Sequence, residues 1–548
     1  GVFDPRGSRQ MCMQACPLGS LLAGIKQTGK RSPVRNERRE HFMSRQYDVI
    51  VVGAGNGGLA AGGITSKNGL STLVLERHNI PGGSATSFRR GRFEFETSLH
   101  ELAEVGPNPF EGTVRQLFDE LGAKDVEWHF EENAFRVVLP GEDGFDVTLP
   151  TGEEAFAEEM ERQVPGSRES VKAVFELGRH AIEALEYLSK GTPDPKVLQS
   201  EYADFMRISS HTTKEVLDAL HMPKRAQDIL VTYWCYLGAP ADQLDFLYYA
   251  LMLILYVQLR PAMPKMRSHE MSLALEKAIH EHGGEIWYNS EVEKILVKDG
   301  KAYGVVVDGK EIYAEHIICN SHMGNALSRL LPAEEIPEKM LKLANARDIA
   351  LSFVTVYLGM NRSAEDLGIH DYSNFVIPCA DSREQYNRCC TIEDSGYAIM
   401  NCLNTVIPES SPEGTCTLFF TTMYYGDVWK DVKPEEYKKL KIKIAGEIIE
   451  NCEKALHISL KPYIEEIVIA APPTFARYLM TPRGTPYGYQ FDMWDSMMMR
   501  TMNVESEEPI KCLRFCGACG ERGDGYSSAY ISGMNTGLRT VRDAKEGK

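Results

Sequence analysis

The clearest pattern of hydrophobic and polar positions in the chain begins just after residue 46. An apolar, β-branched run leads straight into glycines over residues 47–58 (YDVIVVGAGNGG), and an alanine- and glycine-rich stretch continues to residue 67. A second apolar run, residues 72–76 (TLVLE), ends in Glu76. The change from strand to glycine turn to helix to strand predicts a β-α-β unit of about 30 residues.

The glycines of this unit follow a spacing that suits a dinucleotide. Gly53, Gly55 and Gly58 stand in the G-x-G-x-x-G register, and Glu76 follows Gly53 by 23 residues. We expect Gly53 to allow the tight turn, Gly55 to let the backbone approach a diphosphate, and Gly58 to let the helix pack closely on the strand. The helix N-terminus offers free N–H groups to that diphosphate, and the acid accepts from ribose hydroxyls. A glycine turn that only packs would leave Glu76 unexplained.

Similar patterns return far along the chain. An amphipathic helix at residues 273–282 precedes short apolar runs at 285–288, 292–297, 302–307, 311–314 and 316–320. The dipeptides Asp299-Gly300 and Asp308-Gly309 predict hairpin turns between them. Near the C-terminus, residues 512–517 (CLRFCG) predict a strand ending in glycine, and a helix is expected at about 529–545. These segments predict one α/β nucleotide-binding domain assembled from separate parts of the chain.

The intervening stretches predict a mixed α+β substrate-binding domain. Helical spacing appears at residues 167–190, 214–228 and 434–456, and strand-like runs appear at 350–358 and 415–424. The predicted organisation is a basic N-terminal extension (1–43), a nucleotide-binding domain in three parts (44–110, 266–330 and 505–548) and a substrate domain in two parts (111–265 and 331–504). Residues 246–259 carry no charge but are too short to span a bilayer, which predicts a buried or surface-dipping helix.

Charge and cysteine usage narrow the class of protein. The chain has 548 residues with 60 Lys and Arg against 77 Asp and Glu, a net charge of −17, so a general nucleic-acid binder is excluded. Residues 1–45 run against this trend, with nine Lys and Arg and three acids. The thirteen cysteines are an odd number without regular spacing, which argues against a disulfide framework and predicts a reducing compartment. No metal site is expected. We expect a cytoplasmic protein, with the basic extension favouring a peripheral membrane association.

Several motifs together resemble the phytoene desaturase family of FAD-dependent oxidoreductases. They are the GAGNGG turn, Glu76-Arg77, the PGG of residues 81–83, Ser87-Phe88, Gly91, Phe93 and His100. Residues 234–256 and 474–487 resemble the carotenoid isomerase and retinol saturase branch of that family. The resemblance covers nearly everything from Tyr47 onward and implies an FAD-binding, Rossmann-like (two-dinucleotide-binding-domain) flavoprotein.

The resemblance also implies which residues contact FAD. Glu76 would bind the adenosine ribose, Val292 would lie against the adenine, and Gly82 to Ser84 would pass near the diphosphate and flavin. The full set of implied FAD contacts is Gly53, Gly55, Gly58, Glu76, Arg77, Gly82, Gly83, Ser84, Val292, Gly517, Ala518, Tyr530 and Ile531.

Two departures from the family pattern affect the expected substrate. Glu270-Met271-Ser272 stands where the family often has a glycine pair. The loop at residues 516–533 is more polar than in a polyene enzyme, and it carries Glu521, Arg522 and Asp524. This polarity favours a substrate with a polar head, such as a fatty acid or an oxidised isoprenoid.

The function implied is an FAD-dependent oxidoreductase or isomerase acting on carbon–carbon double bonds of a long apolar lipid (carotenoid, retinoid or fatty-acid-like). The branch resemblance favours isomerisation or saturation over desaturation, and the electron partner is not identified by the sequence. His100, Glu521 and Tyr526 are the catalytic candidates, with Glu101 considered beside them as an acid or base. Two alternatives stay open, an amine or porphyrinogen oxidase and a non-enzymatic lipid or prenyl carrier on the same fold.

Overall fold

The computed structural model describes residues 46–107, 109–189, 194–523 and 525–547. The basic extension 1–43 and Asp524 therefore lie outside the described residues. The strands are β1 Tyr47–Val52, β2 Thr72–Leu75, β3 Ser87–Arg90, β4 Phe93–Glu96, β5 Trp128–Phe130, β6 Asn133–Leu139, β7 Phe145–Pro150, β8 Ala262–Pro264, β9 Glu285–Trp287, β10 Val292–Lys298, β11 Lys301–Val307, β12 Lys310–Cys319, β13 Ser352–Met360, β14 Ser373–Val376, β15 Ala398–Cys402, β16 Cys416–Tyr424, β17 Ile464–Ala470 and β18 Leu513–Phe515.

The helices are numbered in the same way along the described chain. They are α1 Asn56–Lys67, α2 Thr113–Leu121, α3 Glu153–Gln163, α4 Arg168–Ser189, α5 Pro195–Glu201, α6 Ala203–Ile208, α7 Thr213–Ala219, α8 Lys224–Leu230, α9 Trp234–Leu237, α10 Phe246–Leu259, α11 Ser268–Glu281, α12 Met323–Asn325, α13 Glu338–Ala346, α14 Ser382–Cys389, α15 Pro434–Leu456, α16 Pro472–Leu479, α17 Met497–Glu507 and α18 Tyr526–Glu546.

The first sheet is parallel at its centre. β1 lies between β2 and β12, with Val52 opposite both Leu75 and Cys319, and β9 and β18 extend the parallel set. The sheet is completed by two antiparallel hairpins, in which β10 pairs with β11 and β11 pairs with β12. The carboxyl ends of β1, β2, β12 and β18 therefore meet at one edge, where ligands bind in open α/β sheets.

Both predicted hairpin turns of this sheet are confirmed. Asp299 and Gly300 have φ values of 52° and 72°, as a tight turn with two left-handed residues requires. Asp308 has a φ of 50°, and Val307 pairs with Lys310 across the second turn. The predicted strands 311–314 and 316–320 are a single strand, β12, because the charged Glu315 between them faces solvent at the sheet surface.

Strands of the first sheet come only from residues 47–75, 285–319 and 513–515 of the described chain. Helix α2 also packs on this core, since Val114, Leu117, Phe118 and Leu121 are buried with Leu59 and Ile64 of α1. The core thus includes a segment that the sequence assigned to the substrate domain. The exact domain boundaries stay a prediction.

The second sheet runs in the order β17-β13-β16-β15-β14-β6-β7 and takes its strands from the other parts of the chain. Helix α15 covers one face of it. The opposite side packs on α10 and the helices around it, so ten of the residues of α10 are buried. Asp245 caps α10 by accepting from the N–H of Leu247 at 3.0 Å. None of the helices among the described residues combines the length and the apolar character needed to cross a bilayer.

One helix prediction was wrong in its length. Residues 214–228 form two short helices, α7 and α8, and His221 between them has a φ of 53°. Pro223 explains the break, because proline removes a backbone donor and disfavours helical geometry in the residue before it.

Close contact between α1 and α18 holds the C-terminal segment against the glycine turn. A β-carbon placed on Gly537 of α18 would lie 2.9 Å from Cβ of Ile64 in α1. Gly446 in α15 offers a contrast, since it is exposed and nothing lies within 4 Å of a β-carbon there. The same substitution should therefore have opposite effects at these two helical positions.

We predict that Gly537→Ala lowers the free energy of unfolding by about 1–3 kcal/mol through overpacking. Gly446→Ala should raise it by about 0.5–1 kcal/mol, since alanine restricts the unfolded chain without meeting a neighbour. Chemical denaturation of both variants beside the wild type measures the two effects. Equal shifts in the same direction would contradict the packing described here.

Candidate active site

A cavity of about 380 Å³ begins at the carboxyl edge of the first sheet and reaches α10. That volume falls in the range of ligand pockets. Val52, Gly53 and Glu76 line one end, and Leu251 and Met252 of α10 line the other. The cavity therefore joins the predicted nucleotide site to the predicted substrate domain.

The glycine turn forms the cavity wall as the sequence predicts. Gly53 has a φ of 97°, which a residue with a side chain rarely adopts. α1 then begins without a side-chain cap and without an acid in its first turn. Its first N–H groups and the positive end of its dipole are thus available to an anion. The side-chain Oδ1 of Asn56, which also lines the cavity, is buried without a hydrogen-bond partner in the described structure.

Glu76 is fixed in place by backbone groups. Its Oε2 accepts from the N–H of Ala54, and its Oε1 accepts from the N–H of His78, both at 2.8 Å. The carboxylate lines the cavity at the end of β2, and each oxygen has a further lone pair. This is the position from which an acid can accept from ribose hydroxyls.

A second set of bare backbone faces the turn from the other side. Gly82 donates its N–H to the carbonyl oxygen of Ala54 at 2.7 Å, and Gly83 lies beside Gly55. A β-carbon on Gly57 would lie 2.7 Å from the amide nitrogen of Gly517. These contacts leave no room for side chains, so the cavity wall here is peptide backbone.

Of the implied FAD contacts, most line the cavity: Gly53, Gly55, Glu76, Arg77, Gly82, Gly83, Ser84, Val292, Gly517 and Ala518. Arg77 also donates to the carbonyl oxygen of Arg477 at 2.8 Å, which ties the end of α16 to this wall. Each cofactor role stays a prediction of the resemblance.

Three implied FAD contacts do not line the cavity. Gly58 lies under the turn, where a β-carbon would overlap the carbonyl oxygen of Gly53, so it has the packing role that its spacing predicts. Tyr530 and Ile531 are buried on α18, and the Tyr530 ring meets Phe118 edge to face. Tyr530 and Ile531 therefore pack in the core and not at the surface of the cavity.

The three catalytic candidates also differ in whether they line the cavity. His100 and Tyr526 line the cavity, whereas Glu521 does not. Backbone hydrogen bonds from Gly520 to Gly517 and from Gly523 to Gly520 turn the loop away, and Glu521 accepts from Asn535 Nδ2 of α18 at 2.9 Å. Its position thus gives a catalytic role no support.

The two candidates at the cavity are both uncharged. Burial lowers the pKa of His100 to about 4, against a hydrogen bond with the Ser98 backbone that favours the protonated ring. Burial raises the pKa of Tyr526, whose hydroxyl lies 2.9 Å from Ser98 Oγ and 3.0 Å from the Ser84 carbonyl oxygen. Arg522, from the polar loop, also lines the cavity and pairs with Glu104 at 3.1 Å.

Sequence reasoning missed Asn320. It follows β12 directly, donates its N–H to the carbonyl oxygen of Val52 at 2.9 Å, and lies within reach of Gly53, Gly55 and Gly517. A usable signal existed, because the residue after a buried parallel strand lies at the ligand-binding edge. Tyr236, Phe353 and Tyr487, which line the far end, carry no such local signal.

These features define a class of protein. A backbone-walled turn and a bare helix N-terminus fit the diphosphate of a dinucleotide, and a fixed carboxylate fits its ribose. The antiparallel β10–β11 extension and the large second domain complete the architecture of an FAD-binding oxidoreductase, with FAD as its cofactor.

The chain belongs to the family of flavin-containing amine oxidoreductases, whose family profile matches residues 57–458. It is 25% identical over 511 residues to all-trans-retinol 13,14-reductase of Danio rerio, covering 87% of this chain and 83% of the relative. It is 26% identical over 481 residues to the chloroplastic prolycopene isomerase of Daucus carota, covering 81% and 74%. The predicted family is thereby confirmed.

Solved structures agree on the fold. A putrescine oxidase variant superposes with a TM-score of 0.60 at 16% identity, covering 91% of this chain and 99% of that one. An oxidoreductase from Methanosarcina mazei gives a TM-score of 0.58 at 17% identity, with 90% and 99% covered. At such identities the likeness concerns the fold alone.

We predict that Gly55→Val lowers flavin retention at least about tenfold, because the added side chain would enter the cavity and press on Asn320, 2.9 Å from a β-carbon. Flavin absorbance per protein after gel filtration measures this. Gly446→Val, the same change on an exposed helix, should retain flavin. Full flavin content in the Gly55 variant would overturn the placement of the diphosphate.

Proposed function

We propose that this protein uses FAD to reduce or isomerise a carbon–carbon double bond of a long, apolar, unsaturated lipid. The observation that carries the proposal is the continuity of the cavity from the glycine turn to α10. Leu251, Met252 and Leu255 of that helix line the far end together with Phe353 and Tyr487. A lipid chain could lie along these side chains while one of its bonds lies near the cofactor.

Two relatives support the choice of reaction. One relative is named for the reduction of all-trans-retinol, and the other is named for the isomerisation of prolycopene. Both align over at least four-fifths of this chain, including the residues of α10. Assigning either reaction to this chain is our own proposal, because its sequence identity to these two relatives is 25% and 26%.

When bound, FAD supplies the redox chemistry. The residues of this chain would orient the lipid, exclude water and hold protons. His100 is neutral, and the Tyr526 hydroxyl, which donates its proton to the Ser84 carbonyl oxygen, can accept a hydrogen bond. The buried aromatic end of the cavity removes water from the path of the lipid chain.

The reaction can be tested directly on the flavin-loaded protein. The oxidised protein and the dithionite-reduced protein are each incubated anaerobically with a lipid extract. We expect one unsaturated lipid to be converted either to an isomer of the same mass or to a product that differs by two hydrogens. Mass spectrometry with chromatographic separation of isomers detects both. Absence of any change in an unsaturated lipid, with flavin bound, would refute the proposal.

A variant links that activity to the cavity. Met252→Trp should reduce kcat/KM at least about tenfold by filling the apolar end, while flavin content stays unchanged. Gln258→Trp, on an exposed position of the same helix, is the matched control. Equal losses in both variants would show that helix stability, and not the cavity, explains the effect.

We also propose a cytoplasmic protein that takes its lipid at a membrane surface. Residues 1–45, with nine Lys and Arg against three acids, motivate this. Sedimentation with anionic vesicles at low salt should fall at least about threefold when the chain is shortened to begin at Met43. Equal sedimentation of both forms would remove the extension from any such role.

A further inference from the structure

Residues 472–484 form a short excursion of the chain, here called the lid, whose two ends lie together. A β-carbon on Gly484 would overlap the carbonyl oxygen of Pro472, and the Gly484 carbonyl accepts from Ser352 Oγ at 2.7 Å. The first part of the lid is α16, and of its described residues Pro472 alone is buried. Loops with close ends and little buried surface can open locally while the rest of the fold stays intact.

The base of the lid is attached to the second sheet and the helix that covers it. Phe475 packs edge to face on Phe353 of β13, with ring centroids 6.2 Å apart. Thr474 Oγ1 lies 3.1 Å from the Tyr437 hydroxyl of α15. The tip of the lid, residues 477–481, extends towards the first sheet instead, and most of it lines the cavity. The lid is thus anchored on one sheet and reaches the cavity wall of the other.

Arg77 and His78 of the first domain hold the tip. Arg77 donates to the carbonyl oxygen of Arg477 at 2.8 Å, and His78 Nε2 donates to that of Tyr478, also at 2.8 Å. These carbonyls belong to the last turn of α16, which has no intrahelical donors for them. A cation at this end also meets the negative end of the helix dipole. The two hydrogen bonds are here called the latch.

The latch lies next to the expected ribose site. The backbone N–H of His78 donates to Glu76 Oε1 at 2.8 Å, and the His78 carbonyl accepts from the N–H of Asn289 at 2.8 Å. Arg77 follows Glu76 directly in the chain, and both latch residues line the cavity. The first-domain side of the latch is therefore fixed by backbone hydrogen bonds, so the lid is the part that can move.

We propose that the lid controls the exchange of FAD, and that Arg77 and His78 are the latch that keeps the lid closed. FAD enters and leaves when the two bonds to the end of α16 break and the tip moves away on its base. The latch joins protein groups only, so breaking it costs the same in the free and in the flavin-loaded protein. It therefore slows release and capture of FAD alike. The proposal depends on FAD as the cofactor and not on the lipid.

The exchange of FAD can be measured without any lipid. The flavin-loaded protein is mixed with an excess of isotopically labelled FAD, and mass spectrometry of the bound flavin gives the release rate. Equilibrium dialysis of the loaded protein against dilute FAD gives the dissociation constant. The release rate divided by this constant is the capture rate, so the two measurements separate a lid from a simple contact.

Arg77→Met combined with His78→Phe removes both donors and keeps most of the side-chain bulk. We expect release to become at least about tenfold faster, because two hydrogen bonds no longer hold the tip. The dissociation constant should change by less than about threefold, because capture accelerates equally. Arg477→Met is the matched control, since Arg477 contributes its backbone carbonyl to the latch and its side chain is exposed. It should leave the release rate unchanged.

A second variant acts on the base of the lid. Gly484 lies outside the set of described residues that line the cavity, and its φ is 70°. Gly484→Ala should part the two ends of the lid, so release and capture should again accelerate together, by at least about threefold. Gly446→Ala, on the exposed helix α15, is the control. Unfolding temperature and flavin content identify a variant that fails to fold, and the latch variant then decides.

Proteolysis reports opening of the lid independently of flavin exchange. Tyr478 is 57% exposed at the tip, so the bond after it becomes a chymotrypsin site when the tip moves out. We expect cleavage at this bond to be at least about threefold faster in the latch variant, with cleavage elsewhere unchanged. Mass spectrometry of the fragments identifies the bond that is cut.

Faster release with an equal rise in the dissociation constant would overturn the latch, because Arg77 and His78 would then act as direct contacts of FAD. Unchanged release in the latch variant, or an equal effect of Arg477→Met, would overturn it as well. The proposed function is decided separately. Flavin exchange as expected, without any lipid turnover, would refute the proposed reaction and leave the lid standing.

Discussion

The site depends on the absence of side chains where three backbone segments meet. The turn at Gly53–Gly57, the loop at Gly82–Gly83 and the loop at Gly517 approach so closely that a β-carbon on Gly57 would lie 2.7 Å from the amide nitrogen of Gly517. These segments are far apart in sequence, and Asn320 contacts all but the second. Their approach creates a wall of peptide groups, which is the surface that a diphosphate needs.

Much of this end of the molecule could be predicted from the sequence. The β-α-β unit and the hairpin turns at Asp299 and Asp308 depend on local residues, so spacing alone was enough. The contacts of Asn320 and Tyr236 depend on packing between distant segments. Glu521 was a catalytic candidate because it is a polar residue in a glycine-rich loop. Its sequence position gave no indication that the loop turns this side chain towards Asn535.

Ser272 shows how a departure from a family pattern can be absorbed by the fold. Its Oγ donates to the carbonyl oxygen of Ala85 at 2.9 Å, and a β-carbon on Gly82 would lie 2.7 Å from that Oγ. The serine thus supports the second glycine loop from behind at the start of α11. A family comparison alone predicts a lost cofactor contact, whereas the structure gives this residue a structural role.

One physical cause, burial, gives the far end of the cavity its chemistry. Loss of water disfavours charge on either type of group, so it lowers the pKa of a histidine and raises that of a carboxylic acid. At His100 and Glu101 these opposite shifts leave both side chains uncharged near neutral pH. This neutrality suits an apolar ligand, because tyrosines and leucines line the same end of the cavity.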